Sequence, residues 1–455
     1  MDRRVRWALA GLSLSMLSSA LGTSIANVGL PTLARVFAGR FQDVQWVVLA
    51  YLVSITALIV SAGRLGDIVG RRRLLLAGIV LFAAAAVAAG LAPSLRVLVA
   101  ARAAQGVGAA AMMALTMAFV GETVPKAQTG RAMGLLGTMS AVGTALGPAL
   151  GGLLIASAGW RSLFLLSAPL GMAAALLVHR FLPPDRPRAP AARTGFDWFG
   201  TGLLAGALAS YALAMTLGRG RFGPVNAGLL LAAAVGGGLF LLAQTRGAAP
   251  LIQLGLFKDA SLRSGLLTSA LVSTVMMTTL VVGPFYLSLA LGLEAAAVGF
   301  ALSVGPMVAA LAGVPAGRLA DRLGARRVAV LGLAGMAAGS AWLAALPAPL
   351  GVSGYLAPLV AITVGYALFQ TANNTAVMGE VPSDRRGVVS GLLNLSRNLG
   401  LVTGASVMGA VFAFATMTDD ITTAAPAAVA TGMRLTFGVA ACLLAAALII
   451  ARRGK

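Results

Sequence analysis

Charge, cysteine and histidine are scarce in this chain. Charged residues make up only 10% of its 455 residues, and it has one cysteine and one histidine. Soluble domains carry about 25% charged residues, so a soluble chain of this length could not cover its surface with so few. The lone Cys442 excludes a disulfide framework and a cysteine metal site. We expect neither a metal nor a cofactor.

Acidic residues are scarcer than basic ones. The chain has 13 Asp and Glu and 34 Lys and Arg, which gives a formal net charge of +21. Such an excess is also typical of nucleic-acid-binding proteins. Here, however, the basic residues stand in short loops between long apolar runs, which indicates membrane topology signals and no nucleic-acid partner. Hydrophobic residues reach 59%, and 57 glycines suit helices that pack closely in lipid. We therefore predict an all-α integral membrane protein in a lipid bilayer.

Fourteen apolar segments are long enough to cross a bilayer, which requires about 20 residues of helix. An even number places both termini on one side. Most Arg and Lys fall on that side, so the positive-inside rule predicts cytoplasmic termini. The Ala-, Gly- and Arg-rich usage suggests a GC-rich bacterial genome and hence the cytoplasmic (inner) membrane. The predicted spans are 7–30, 46–63, 74–91, 96–120, 132–155, 162–181, 198–217, 225–245, 264–290, 297–316, 328–346, 356–379, 388–415 and 434–451.

The sequence repeats itself across its two halves. The segment Gly63–Arg73 (GRLGDIVGRRR) recurs as Gly317–Arg327 (GRLADRLGARR). A second pair of similar segments begins at Val124-Pro125 and at Val381-Pro382, at nearly the same separation, so a chance match is improbable. Parallel repeats of this kind are typical of transporters that rock around a central site.

The separation of the two copies leaves room for two spans beyond a simple pair of six-helix repeats. We predict two six-helix parallel repeats plus two extra central helices. A twelve-span alternative requires two of the long apolar runs not to cross the membrane. The predicted parts are an N-terminal six-helix bundle at 1–182, a linker with two extra transmembrane helices at 183–258, and a C-terminal six-helix bundle at 259–455.

These motifs resemble those of the major facilitator superfamily, and most of all its fourteen-span drug:proton antiporter branch. The resemblance covers essentially the whole chain. It implies a secondary active transporter, not an enzyme, that exports a small drug-like or metabolite compound by alternating access, with proton exchange left open. The residues that carry it are Gly63–Arg73 and the degraded copy at Gly317, Leu98, Arg102, Gln105 and Gly106 of the fourth span, Leu21, Asn27-Val28 and Leu30-Pro31 of the first span, and Gly134, Gly143, Gly147-Pro148 and Gly151-Gly152 of the fifth.

The resemblance implies structural roles for two of these motifs. The loop after the second span would hold the two halves in one conformation; the alternative is that its arginines only anchor a loop inside the cell. The fifth-span motif would form a kinked, tightly packed helix, because Pro bends a helix and Gly lets helices approach. The alternative is generic small-residue packing. The gating residues are Gly63, Asp67, Gly70, Arg71, Arg72, Asp321 and Arg322, and the antiporter motif is Gly143, Gly147, Pro148, Gly151 and Gly152.

Polar side chains inside the spans are the candidates for a substrate cavity. Arg102 and Arg397 have the highest free-energy cost in the membrane, because a charge within a span must face the protein interior or water. The structural alternative is an arginine that ties polar side chains together between helices. The methionines among the candidates could form an adaptable apolar wall. The full set is Asn27, Arg102, Gln105, Met113, Met117, Tyr286, Gln370, Asn373, Asn374, Asn394, Arg397 and Asn398.

The sequence departs from the family pattern in the first span. The fourteen-span branch usually has an Asp five residues before the first-span Asn, and here that position is Gly22. No Asp or Glu falls deep within a predicted span, although deep carboxylates are the common proton carriers. The two span arginines then predict a neutral or positive cavity and a neutral or anionic substrate. If a proton is carried, the candidates are the rim carboxylates Asp43, Glu122, Glu294 and Glu380.

Three functions stay open. An export permease driven by the proton gradient or the membrane potential comes first. A metabolite facilitator or uptake symporter is favoured by Gly22 and opposed by the fifth-span motif, and a non-transporting membrane receptor is the remote alternative. The chain has no nucleotide-binding lysine loop, which argues against ATP-driven transport by this chain alone. We expect a small-molecule substrate and a monomer.

Overall fold

The structure, a computed structural model, describes residues 3–123, 129–185, 197–217, 223–246, 257–347, 350–379, 386–416 and 421–453. Every regular element within these ranges is helical. The α-helices are α1 Arg3–Val36, α2 Phe41–Val69, α3 Arg71–Gly90, α4 Leu95–Thr123, α5 Thr129–Ala158, α6 Ser162–Leu165, α7 Ser167–Phe181, α8 Trp198–Thr216, α9 Pro224–Arg246, α10 Ala260–Phe285, α11 Ala295–Leu323, α12 Ala325–Ala344, α13 Gly351–Gly379, α14 Arg386–Thr403, α15 Gly409–Thr416 and α16 Pro426–Arg453.

Fourteen helical segments of the described ranges are long and apolar enough to cross a membrane, which confirms the predicted count. The sixth segment combines α6 and α7. The ninth continues from α10 into the π-helical turn Tyr286–Ala290, and the thirteenth joins α14 to α15 through the π-helical turn Gly404–Met408. Large apolar side chains stand on the outside, with Leu176 and Leu311 exposed by 69% and 74%. Such exposure is typical of a surface that faces lipid.

The helices form two compact units. The first unit comprises Met1–Gly29, Trp46–Tyr211 and Leu229–Leu251. The second comprises Leu30–Gln45, Ala212–Gly228 and Ile252–Lys455, so it includes the end of α1 and the start of α2. The predicted division into two bundles and a separate central linker is a different partition, and it stays a prediction.

Each unit contains a helix pair that meets at glycines. In the first unit α3 and α4 cross so closely that a Cβ on Gly108 would lie 2.5 Å from the carbonyl oxygen of Gly78. In the second unit a Cβ on Gly332 of α12 would lie 2.6 Å from the oxygen of Gly365 on α13, and the reverse distance is the same. Glycine is required where two backbones approach to this degree. The internal sequence repeat therefore corresponds to a repeated packing motif.

Candidate functional site

A fully buried arginine lies at the centre of the first unit. Arg102 on α4 has no exposed surface. Its Nε donates to the oxygen of Val47 at 2.9 Å, and its two terminal nitrogens donate to Gln105 Oε1 at 2.6 Å and to the oxygen of Gly22 at 2.8 Å. The guanidinium also lies 4.2 Å from the centre of the Tyr51 ring. Helices α1, α2 and α4 thus hold this cation with carbonyl oxygens, one amide and a π face.

The position of the missing first-span carboxylate is closely packed. A Cβ on Gly22 would lie 2.9 Å from the Tyr51 hydroxyl and 3.3 Å from the Phe82 ring. The Tyr51 hydroxyl donates to the oxygen of Ser19 at 2.8 Å, which fixes it there. A phenol therefore fills the space beside Arg102 that an aspartate side chain at position 22 would enter. No Asp or Glu whose side chain the structure describes belongs to the buried polar set.

The other first-unit candidates lie on α1 and α4. Asn27 is fully buried and donates to the oxygens of Thr23 and Ser24 on its own helix, at 3.1 and 3.2 Å. Met113 and Met117 are partly buried and pack against the hydrophobic core of this unit. Of the predicted cavity residues in this unit, the structure brings Arg102 and Gln105 into direct contact. The cavity roles of all five remain predictions.

The predicted cavity residues of the second unit are Asn and Gln side chains, one tyrosine and one arginine. On α13 the Gln370 side chain donates to Asn374 Oδ1 at 3.3 Å, one helical turn away. The Asn373 side chain, which is 6% exposed, donates to the oxygen of Gly265 on α10 at 3.2 Å. Tyr286 packs against another tyrosine ring, Tyr355, with centroids 5.6 Å apart. These contacts tie α10, α13 and the π-helical turn after α10 together.

The remaining candidates follow one another along α14. Asn398 is 4% exposed, whereas Asn394 and Arg397 are partly exposed. Residues three and four apart on a helix share a face, so Asn394 lies on the same side as Arg397 and Asn398. Arg397 is thus accessible, unlike Arg102. Its role in a substrate cavity stays a prediction.

The gating loop of the first unit is held by two carboxylates. Asp67 at the end of α2 forms a salt bridge with Arg71, with 2.8 Å between Oδ1 and a guanidinium nitrogen. Asp185, which follows α7, accepts the backbone N–H groups of Arg72 at 2.8 Å and Arg73 at 3.2 Å. A carboxylate that accepts the free N–H groups of a helix N-terminus stabilises that end, here the start of α3. Asp185 is not among the predicted gating residues, because nothing in its local sequence marks it.

Glycine is required at the centre of this loop. Gly70 has φ +111°, and a Cβ there would lie 2.5 Å from Asp185 Oδ2. Both the backbone conformation and the space therefore favour glycine. The first glycine of the motif differs, because a Cβ on Gly63 would meet no atom within 4 Å.

The second copy of the loop keeps the turn, and among the described residues it has neither a salt bridge of its Asp321 nor a capping carboxylate. Gly324 has φ +87°, and no side chain within the described ranges accepts from the first N–H groups of α12 as Asp185 does from those of α3. Asp321 and Arg322 are exposed. Arg326 donates to the oxygen of Arg452 at the end of α16 at 2.6 Å. The corresponding arginine of the first copy donates in the same way to the end of α7.

The antiporter motif of α5 packs against α1. A Cβ on Gly143 would lie 2.5 Å from a carbonyl oxygen of α1, a Cβ on Gly147 would overlap the Ser24 hydroxyl, and a Cβ on Gly151 would lie 2.6 Å from Val28. The Ser24 hydroxyl also donates to the oxygen of Gly143 at 3.4 Å. These three glycines, spaced by four, let α1 and α5 pack backbone to backbone.

The two halves differ just after this crossing. In α5 Pro148 lies within a continuous helix and is buried, as is Gly152. In the second unit the position after Gly404 is Ala405, which lies in the π-helical turn between α14 and α15. The Gln45 amide donates to the oxygen of Ala405 at 2.7 Å, within that same unit.

The rim carboxylates are accessible where the structure describes them. Asp43 forms a salt bridge with Arg40, 2.9 Å between Nε and Oδ2, and both side chains are partly exposed. Glu294 is exposed at the start of α11 and caps no backbone group. The side chain of Glu122 and the whole of Glu380 lie outside the described residues. Proton transfer by any of the four stays a prediction.

Fourteen apolar helices in two units, with repeated loops and repeated glycine crossings, define a polytopic membrane transporter. The chain belongs to the Major Facilitator Superfamily, whose family model matches residues 12–405 and 266–453. It is therefore a transporter acting on small molecules and not an enzyme.

Three bacterial relatives cover most of the chain. An Escherichia coli protein called "Uncharacterized transporter YebQ" is 33% identical over 88% of this chain and 86% of its own length. "Multidrug resistance protein Stp" of Mycobacterium tuberculosis is 33% identical over 91% of this chain and 77% of its own length. "Riboflavin transporter RibZ" of Clostridioides difficile is 28% identical over 88% of this chain and 87% of its own.

A solved structure supports the fold. The inward-facing, occupied structure of a bacterial homologue of the human lysosomal transporter Spinster superimposes with a TM-score of 0.74 at 15% identity. The superposition covers 100% of this chain and 97% of the other. At this identity the likeness shows the fold alone.

Proposed function

We propose that the protein exports a neutral or anionic small compound from the bacterial cytoplasm by alternating access. It does so as a monomer in the cytoplasmic membrane, with both termini inside the cell. The observation that carries the charge preference is Arg102, a fully buried cation with no described carboxylate beside it. The observation that favours export is the glycine spacing of α5, which matches the antiporter motif and packs against α1.

The charge preference follows from electrostatics. The Arg102 guanidinium is surrounded by neutral groups, so its charge is screened only by dipoles. At a separation of about 10 Å and an effective dielectric of about 20, it would disfavour a monovalent cation by about 1.7 kcal/mol. An anion would gain by the same amount. Arg102 has no exposed surface and three of its N–H groups are hydrogen-bonded, so it acts through its field and not by touching the compound.

The relatives support transport of small organic molecules. One is named for multidrug resistance and another for riboflavin, so relatives that align with most of this chain are named for different compounds. Fold alone does not select among substrates. For this chain the charge of the first-unit interior is the feature that narrows the choice.

The same interior bears on proton coupling. A proton carrier inside a membrane domain needs a buried group whose proton affinity changes with conformation. Gly22 and Tyr51 occupy the place where such a carboxylate would stand. Any coupled proton would then be carried at the rim, by Asp43, Glu294 or the two glutamates outside the described residues. A facilitator without coupling is the second candidate function, and the same observation favours it.

The deciding experiment uses inverted, energised membrane vesicles that contain the protein, a pH-sensitive dye, and cationic, neutral and anionic compounds. We expect labelled neutral or anionic compounds to accumulate and cationic ones not to. Recovery of the dye signal on adding a compound would establish proton antiport. Four single substitutions, Asp43→Asn, Glu122→Gln, Glu294→Gln and Glu380→Gln, then test the rim.

Each outcome has a consequence. Dye recovery that is unchanged in all four variants would contradict proton transfer at the rim. Downhill flux with no recovery would establish the facilitator. Tight binding of ethidium or benzalkonium to the purified protein would overturn the charge preference, and absence of any flux would overturn transport by this chain.

A further inference from the structure

A cavity of about 360 Å³ lies within the second unit, between the N-terminal part of α10 and the middle of α14. Its walls are mostly leucines, including Leu266 and Leu267 of α10 and Leu395 and Leu399 of α14, and Arg263 is the one charged residue among the described residues that line it. A volume in this range is at the lower end of those that hold small ligands. The cavity is separate from the polar candidates of α13.

The cavity results from the way α10 and α14 cross. At Gly400 a Cβ would lie 2.7 Å from the Ser273 side chain, and at Gly404 it would lie 2.6 Å from Met277. Nearer the start of both helices the residues that face the cavity are mostly leucines. The Ser396 hydroxyl, also in the wall, donates to the oxygen of Leu266 at 2.5 Å. This bond satisfies the hydroxyl, so the wall offers a ligand apolar surface.

The cavity extends inward from the charged end of the unit. Ser264 near the start of α10 donates to the oxygen of Ile450 near the end of α16, where Arg452 and Arg453 follow. From Arg263 to Ala270, seven residues of helix span about 10 Å. Arg263 is exposed at the outer end, whereas Leu266 and Leu395 are 8% and 6% exposed. One cation at the helix end and an apolar slot beneath it match a lipid, with its headgroup at the interface and its chain in the membrane.

The charges around Arg263 favour an anionic headgroup. Lys258 is exposed in the turn that precedes α10. The nearby Asp259 carboxylate accepts the backbone N–H groups of Ser261 at 2.7 Å and Leu262 at 3.2 Å, so it is used in capping the helix. The rim of the cavity therefore carries two cations and one carboxylate that is already hydrogen-bonded.

We infer that this cavity binds one acyl chain of an anionic phospholipid whose phosphate contacts Arg263. A guanidinium suits a phosphate because it donates several hydrogen bonds from one plane. The site goes beyond the proposed export function, and the direction of transport does not affect it. The proposed orientation decides only the leaflet, which would be the cytoplasmic one.

The test uses the purified full-length protein, freed of lipid in detergent and titrated with phosphatidylglycerol or phosphatidylethanolamine under native mass spectrometry. We expect one phosphatidylglycerol to bind in preference to phosphatidylethanolamine. Arg263→Gln should weaken its binding about tenfold, the order expected when one hydrogen bond to a charged group is lost. Ala270→Phe, which fills the inner end, should abolish the preference. Arg318→Gln is the matched control, because it removes the same charge from an exposed position at the same end, outside the cavity.

Three results would overturn the inference. Equal weakening by Arg263→Gln and Arg318→Gln would show general attraction to a basic surface. Equal affinity for both lipids in the unaltered protein would remove the role of the headgroup charge. Displacement of phosphatidylglycerol by the soluble anion anilinonaphthalenesulfonate, with the same dependence on Arg263, would show a pocket for soluble amphiphiles instead of a lipid site. The exposed Arg263 position keeps loss of folding from imitating a positive result.

Discussion

The two copies of the gating loop share a backbone and differ in chemistry. Both turn at a glycine with positive φ, +111° at Gly70 and +87° at Gly324, and in both an arginine donates to a backbone oxygen near the end of another helix of its unit, α7 in the first copy and α16 in the second. Among the described residues, the first copy alone carries a salt bridge and a capping carboxylate, Asp185, at the start of the following helix. The repeat thus preserves the turn, while the electrostatic stabilisation of that turn belongs to one copy.

The same contrast holds inside the units. The first has a buried guanidinium, Arg102, held by three helices, whereas the arginine on α14, Arg397, is partly exposed. Both units have a glycine-mediated crossing, but Pro148 follows it in one and a π-helical turn follows it in the other. Packing geometry is therefore shared between the halves, and polar groups differentiate them.

The largest expected effect separates the two span arginines. Arg102→Ala leaves a cavity and removes the donor from three buried acceptors, so we expect it to lower the free energy of unfolding by about 3 kcal/mol. Arg397→Ala should change it by no more than about 0.5 kcal/mol. Unfolding in mixed detergent, followed by circular dichroism, measures both. Equal effects would show that Arg102 is not the structural centre of the first unit.

A smaller effect tests the α1–α5 crossing. Gly147→Ala places a Cβ against the Ser24 hydroxyl, so we expect a loss of about 1–3 kcal/mol from overpacking. The matched control is Gly137→Ala on the same helix, where a Cβ would meet no atom within 4 Å. There the better helix propensity of alanine should leave stability unchanged or slightly raised. A tolerated Gly147→Ala would contradict the close approach of the two backbones.

The smallest effect sharpens the comparison of the loops. Asp185→Ala removes the acceptor of two N–H groups at the start of α3, so we expect a loss of about 1 kcal/mol. Asp321→Ala in the second copy should have no measurable effect on stability. Hydrogen exchange of the α3 and α12 amides gives the local readout. Faster exchange at α3 in Asp185→Ala only would support the difference, and faster exchange at both sites or at neither would contradict it.

Hydropathy predicted the spans well because it depends on local composition. A bilayer requires about 20 apolar residues per helix, and that signal needs no tertiary information. The predicted 388–415 span was less regular than expected, because the turn at Gly404–Met408 is π-helical and Gln45, far away in the sequence, binds its backbone. Such an interaction has no local signature.

The sequence alone determined that this is a fourteen-helix membrane protein with an internal repeat, and the glycine spacing indicated where helices approach. Only the tertiary structure decided what surrounds Arg102, which part of the chain caps α3, and where an apolar cavity opens beside Arg263. The physical reason is that the partners are not neighbours in the sequence. Arg102 donates mainly to backbone oxygens, and the first N–H groups of α3 donate to a carboxylate more than 100 residues away. Every residue has a carbonyl oxygen, so its use as an acceptor is decided by the fold and cannot be recognised in the sequence.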